Sequence, residues 1–174
     1  MSKDILLVED TLTQAMLFQH LLEKNGQSVK LARSGAKALE LLEKLNHLNE
    51  LPALILTDIN MPEMDGYQLC RALKANSAYS HIQVVLFAQA TSPDEIAEIL
   101  NCGADNIVLK KWNEQKLVSK LKLLVNEAPE NKISGENNKL ELGARINGKE
   151  LDISFEPRKA LAIMSSLYEF LCTD

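Results

Sequence analysis

Short runs of apolar residues alternate along the chain with longer stretches in which apolar positions recur every three or four residues. The runs are Ile5 to Val8, Val29 to Ala32, Leu54 to Thr57, Val84 to Phe87 and Ile107 to Leu109. Each is brief and nearly continuous in apolar character, the pattern of strands covered on both faces in a parallel sheet. The stretches between them read as amphipathic helices. Gln14 to Lys24 sets Leu17, Leu21 and Leu22 on one stripe and stops at Asn25-Gly26. Ala36 to Leu45 repeats the pattern with Leu39, Leu42 and Leu45, and Gly66 to Ala75 carries Leu69 and Leu73. The fourth helix has the fullest punctuation: Ser92 as N-cap, Pro93 at the first helical position, Glu95 closing a capping box, and Gly103 past the last turn. Asn113 is placed to cap a fifth helix running through Val125.

Five βα units in succession predict an α/β fold, a doubly wound five-stranded parallel sheet of flavodoxin-like order 2-1-3-4-5. A ligand crevice is then expected outside the carboxyl ends of strands one and three, where the winding reverses. Residues 1–126 make up this domain. Residues 127–138, rich in Glu, Asn, Pro and Gly, read as a linker. Within 139–174, Leu140, Leu142 and Ile146 alternate before Asn147-Gly148, and Leu151, Ile153 and Phe155 after it, which predicts a β-hairpin. Pro157 opens a helix whose apolar stripe is Leu161, Met164, Leu167, Tyr168 and Leu171. This appendage is expected to be a connector or a dimerisation segment, because an apolar helix face needs a partner. The last helix has no stop signal, and the chain is expected to be a truncated piece of a longer protein.

Composition narrows the function classes. The 174 residues carry a net charge of −5, with 46% hydrophobic and 25% charged residues, ordinary values for a domain that buries one core. A nucleic-acid surface needs clustered Lys and Arg, and the best basic candidate is the single pair Lys110-Lys111. Cys70, Cys102 and Cys172 are scattered without metal-ligand spacing and suit reduced thiols. No window approaches the roughly 20 apolar residues of a membrane span. Neither nucleic acid nor membrane is expected as a partner, and a cytoplasmic location is.

The chemistry lies where the strands stop. The first strand runs into Glu9-Asp10, and the third, in "LILTDINMPEMDG", into Asp58. These strands are neighbours in the predicted order, so three carboxylates converge. Like charges so placed repel unless a cation or protons intervene. Hard oxygen ligands at an open site suit Mg²⁺, which is held by a few carboxylates, water and a phosphate. The fifth strand ends in Lys110, bringing an ammonium to the same edge. An acidic pocket with one lysine and a divalent ion can hold a phosphoryl group, and a carboxylate there can attack phosphorus to form an acyl phosphate.

At these residues the chain resembles a known family. "LLVEDTLTQ", "LTDINMPEMDG" and "VLKKW" are similar to the motifs of the response-regulator receiver domain of two-component signalling, over roughly residues 3–126. The resemblance implies that Asp58 is the phosphoacceptor, charged by a histidine kinase or a histidine phosphotransfer protein. It implies that Glu9, Asp10 and Asp58 hold Mg²⁺ with the backbone carbonyl of Asn60, and that Lys110 contacts the phosphoryl group. It further implies output through the face of helix four, strand five and helix five, and a homodimer through that face or the C-terminal helix.

Two departures from the family bear on its switch. Its hydroxyl residue at the end of strand four is Ala88 here, with Thr91 three residues on, and its switch aromatic on strand five is Ile107. Lys111 replaces the common proline after the lysine, and Gln89 is bulkier than the small residue usual at its position. These departures motivate a second reading, a pseudo-receiver that binds partners with an impaired phospho-switch. A third, an aspartyl-phosphate hydrolase, needs a second acid two residues beyond the nucleophile, where this chain has Asn60. Turnover as an enzyme is therefore not expected. A dinucleotide site is disfavoured by Glu9-Asp10 standing where a glycine-rich cradle belongs. The appendage resembles, over a few residues, the connector joining some receivers to a sensor or kinase module, and it is too short and acidic for a winged-helix domain.

Overall fold

The structure, a computed structural model, describes residues 4–88, 92–111, 113–126, 140–146 and 149–171. Five parallel strands, β1 (Ile5–Val8), β2 (Val29–Ala32), β3 (Leu54–Asp58), β4 (Gln83–Ala88) and β5 (Asn106–Leu109), form one sheet in the order β2-β1-β3-β4-β5. Helices α1 (Leu12–Lys24), α2 (Gly35–His47), α3 (Gly66–Ala75), α4 (Pro93–Asn101) and α5 (Glu114–Asn126) connect and follow them. Right-handed crossovers put α1 and α5 on one face and α2, α3 and α4 on the other. Every residue of β1, β3 and β5 is buried, which is why these strands read as unbroken apolar runs. Each fully buried Leu or Ile contributes about 1.5–3 kcal/mol.

The predicted punctuation of α4 is present: Ser92 accepts from the Glu95 N–H, Glu95 bonds back to the Ser92 N–H, and Gly103 takes φ +81°. Asn113 caps α5 by accepting from the Lys116 N–H at 2.9 Å. A second capping box, Asp65 with Gln68, starts α3. The stripe expected on α1 is corrected in one place. Leu17 is exposed, and the inward face runs through Ala15, Phe18, Leu21 and Leu22. The helix also begins two residues earlier than expected, at Leu12.

Beyond the sheet, β6 (Leu140–Ile146) and β7 (Lys149–Phe155) pair antiparallel, with Leu140 opposite Phe155 and Leu142 opposite Ile153. The Asn147-Gly148 turn, the 127–138 linker, Gln89, Thr91, Trp112 and Cys172 lie outside the described residues. A final helix, α6 (Pro157–Leu171), packs on β5, and β7 packs on α4. Its inward face departs from the expected stripe: Leu161, Met164 and Tyr168 are exposed, whereas Ala160, Ile163 and Ser166 are buried, and of the expected residues Leu167 packs beside them. Small residues bring α6 close to β5. There Ser166 Oγ donates to Asn106 Oδ1 at 2.7 Å. Lys159 donates to the Gly103 carbonyl and pairs with Asp105 at 3.2 Å, and the Ser154 N–H donates to Asn101.

The turn after β3 folds back tightly on the strand end. The Gly66 N–H donates to the Ile59 carbonyl at 2.9 Å, and a Cβ on Gly66 would lie 2.3 Å from the Asp58 carbonyl oxygen. Gly66→Ala is accordingly expected to destabilise by about 2 kcal/mol or more. Gly26→Ala, with φ +81° but nothing within 4 Å of the added Cβ, should cost only about 1 kcal/mol. Thermal unfolding of the two variants checks the order.

Candidate functional site

The strand order delivers the ends of β1, β3 and β5 to one edge of the sheet. Glu9 and Asp10 follow β1, Asp58 closes β3, and Lys110 follows β5. Carboxylate oxygens of Glu9, Asp10 and Asp58 all lie within 4.8 Å of one another. Lys110 Nζ sits 2.8 Å from Asp58 Oδ2 and 3.4 Å from Glu9 Oε2. It also donates to Gln14 Oε1 at 3.0 Å and stands 5.3 Å from the centroid of the Phe87 ring. Phe87 is held in turn by an edge-on contact with Phe18, centroids 4.6 Å apart. An aromatic face beneath an ammonium favours the cation.

Backbone groups fix the acids. The Thr11 N–H donates to Glu9 Oε1 at 3.1 Å and the Ile59 N–H to Asp58 Oδ1 at 2.8 Å. Arg33, just past β2, donates from Nε to the Glu9 carbonyl at 3.0 Å and from its guanidinium to the Asp10 carbonyl. That clamp holds the chain between the two β1 acids without touching their carboxylates. Glu9 is wholly buried and Asp58 is 5% exposed, while Asp10 is half-buried. Burial pushes the Glu9 carboxyl above its ordinary range and the Asp58 charge adds to this, against the lowering effects of the Thr11 N–H and Lys110.

Asn60 sits exposed in the turn two residues beyond Asp58. Ala88, the last residue of β4, is buried opposite Leu109 in the register, and its carbonyl accepts from the Lys110 N–H at 2.7 Å. Ile107 is wholly buried within β5. Cys70 and Cys102 are buried, as expected of small apolar side chains, and Cys70 Sγ donates to the Cys102 carbonyl at 3.4 Å. Gln14, Arg33 and Phe87 were not singled out by motif or charge pattern. The available signals were Gln14 within "EDTLTQ" in the first turn of α1, and an arginine directly after a strand on the same sheet edge.

Three hard-oxygen donors at this separation, one of them a wholly buried acid, fit a small divalent cation. A doubly wound sheet with an acidic pocket and one lysine at its switch point defines the class of phosphoacceptor signalling domains. The family model for the response regulator receiver domain matches residues 5–122, and the chain belongs to that family. Receiver domains bind Mg²⁺ at an acidic pocket of this kind and interact with histidine kinases or phosphotransfer proteins.

The chain is 32% identical over 146 residues to two-component response regulator ARR7 of Arabidopsis thaliana, covering 79% of this chain and 70% of that protein. It is 28% identical to response regulator PleD of Caulobacter vibrioides over 96% of this chain but only 38% of that protein's length. Among solved structures, the receiver domain of a signal transduction histidine kinase from Syntrophus aciditrophicus aligns with 35% identity and a TM-score of 0.66. That alignment covers 75% of this chain and 95% of that one. No helix among the described residues is long and apolar enough to cross a membrane.

The Glu9 shift carries a stability prediction. A carboxyl raised above its unfolded value of 4.5 favours folding fully below that value and loses the contribution as pH rises through its higher folded value. At neutral pH the ionised acid therefore weighs against the fold. Glu9→Gln keeps an acceptor for the Thr11 N–H without the charge. In metal-free buffer it should raise the unfolding midpoint by a few degrees, about 1 kcal/mol, and flatten the profile above the ordinary Glu range. Thermal scans of both proteins across that range measure it.

Proposed function

We propose that this protein is a phosphorylatable receiver in which Asp58 accepts a phosphoryl group from a histidine kinase or phosphotransfer protein. The observation carrying this reading is the 2.8 Å contact between Lys110 Nζ and Asp58 Oδ2 in a pocket shared with Glu9 and Asp10. An Asp58 oxygen forms the new bond to phosphorus as the phosphorus–nitrogen bond of a donor phosphohistidine breaks, and the freed imidazole takes up a proton. Glu9, Asp10 and Asp58, with the Asn60 carbonyl, would hold Mg²⁺, which supplies charge neutralisation to the phosphoryl oxygens. Lys110 is already stationed to exchange its Asp58 contact for one of those oxygens. The Ile59 N–H holds the other carboxylate oxygen and fixes the orientation of the acid.

A second reading, the pseudo-receiver, is favoured by the methyl of Ala88 where a hydroxyl would follow the phosphoryl group, and by wholly buried Ile107 in place of a swinging aromatic. The two readings differ in output, and α6 supplies a third possibility for it. Asn106 begins β5 and holds Ser166 of α6, while Lys110 ends the same strand region at the acidic pocket. A shift of β5 driven at Lys110 would reach α6 along the strand itself, with no hydroxyl needed at position 88 and no aromatic at position 107, so output through the C-terminal extension is our reading. The chain spans 38% of the length of PleD.

Beryllofluoride with Mg²⁺ should bind the wild type and fail to bind Asp58→Asn, as read by calorimetry; equal behaviour of the two removes the phosphoacceptor reading. With beryllofluoride bound, amide hydrogen exchange along 157–171 should rise several-fold. Uptake of beryllofluoride with unchanged exchange in α6 would favour the pseudo-receiver instead.

A further inference from the structure

We infer that Gln14 is a positioning residue for the phosphoryl-transfer site, holding the Lys110 ammonium at the pocket when the carboxylates are otherwise engaged. The inference rests on the phosphoacceptor reading and deepens it. Lysine is a flexible four-carbon stem with a compact charge, so a directed ammonium needs fixed acceptors around it. Lys110 has three oxygens within reach: Asp58 Oδ2 at 2.8 Å, Gln14 Oε1 at 3.0 Å and Glu9 Oε2 at 3.4 Å. Two of these belong to the carboxylates that a divalent cation would recruit. The Gln14 amide oxygen is neutral and stands outside that acidic trio, so it is the acceptor that stays with Lys110 when the acids turn to a cation.

Gln14 is placed by the first turn of α1. It lies one turn before Phe18 on α1, and Phe18 packs edge-on against Phe87, the ring over which the Lys110 ammonium sits. Adjacent turns of one helix thus provide an acceptor for the lysine and a buttress for the aromatic floor beneath it. Gln14 is only partly buried and Lys110 is largely so, which makes the contact an anchor at the mouth of the pocket. An ammonium released from this anchor would have to be ordered again each time a phosphoryl group arrives.

The test is a double-mutant cycle between Gln14→Met, which keeps the volume and removes the acceptor, and Lys110→Ala, in the full chain. Mg²⁺ affinity and beryllofluoride affinity at saturating Mg²⁺ are measured separately by calorimetry. Gln14→Met should weaken beryllofluoride binding about fivefold to tenfold while Mg²⁺ affinity stays within twofold. In the Lys110→Ala background it should add nothing further. Equal losses in both backgrounds, or a parallel fall in Mg²⁺ affinity, would overturn the inference and leave Gln14 a structural residue. If the wild type itself takes up no beryllofluoride, the phosphoacceptor reading falls. The same cycle read by thermal unfolding then decides whether Gln14 anchors Lys110, and additive effects overturn that too.

Discussion

Carboxylates crowded at the end of a buried sheet repel one another, and the fold keeps them together because one ammonium is driven in among them. Lys110 reaches from beyond β5, past β4, to the acids of β3 and β1. The reach is made over the Phe87 ring, with the Lys110 backbone tied to the Ala88 carbonyl at the end of β4. The local rules of the rest follow from this arrangement. Glu9 needs a backbone donor because it is desolvated, Asp58 needs one because only one of its oxygens faces the lysine, and Arg33 braces the Glu9-Asp10 chain from β2. A doubly wound sheet is suited to such a site because its carboxyl edge collects strand ends that are far apart in sequence.

Much of the scaffold was legible because its signals are local. β1 and β2 occupy the predicted residues, the capping box of Ser92 and Glu95 is formed, and the strand order follows from βα alternation and crossover handedness. The helix faces were less legible. On α1 the count of leucines pointed to Leu17, but the inward face is set by the sheet and selects Ala15 and Phe18. On α6 two stripes with the same spacing competed, and the smaller side chains took the inward side since they let the helix approach β5. Periodicity gives the spacing of a face and says little about which of two faces packs.

The acidic trio and the lysine could be placed from strand ends alone, since each lies within two residues of the end of one of the short runs read as strands. Gln14, Arg33 and Phe87 could not, because each acts on another side chain or on a backbone carbonyl across elements. Such second partners have no spacing signature in one chain. The same holds for Asn106, whose buried amide oxygen accepts both from its neighbour's N–H and from Ser166, sixty residues on.

Asp105 illustrates how the tail joins the domain. Its carboxylate accepts from the Val84 N–H and pairs with Lys74 as well as with Lys159 of α6. Two of those three partners are translated before the tail, so the acid is never stranded while the chain is being made. Asp105 is therefore satisfied within the five-stranded sheet and its helices, and α6 adds its ammonium to an acid that already has partners there.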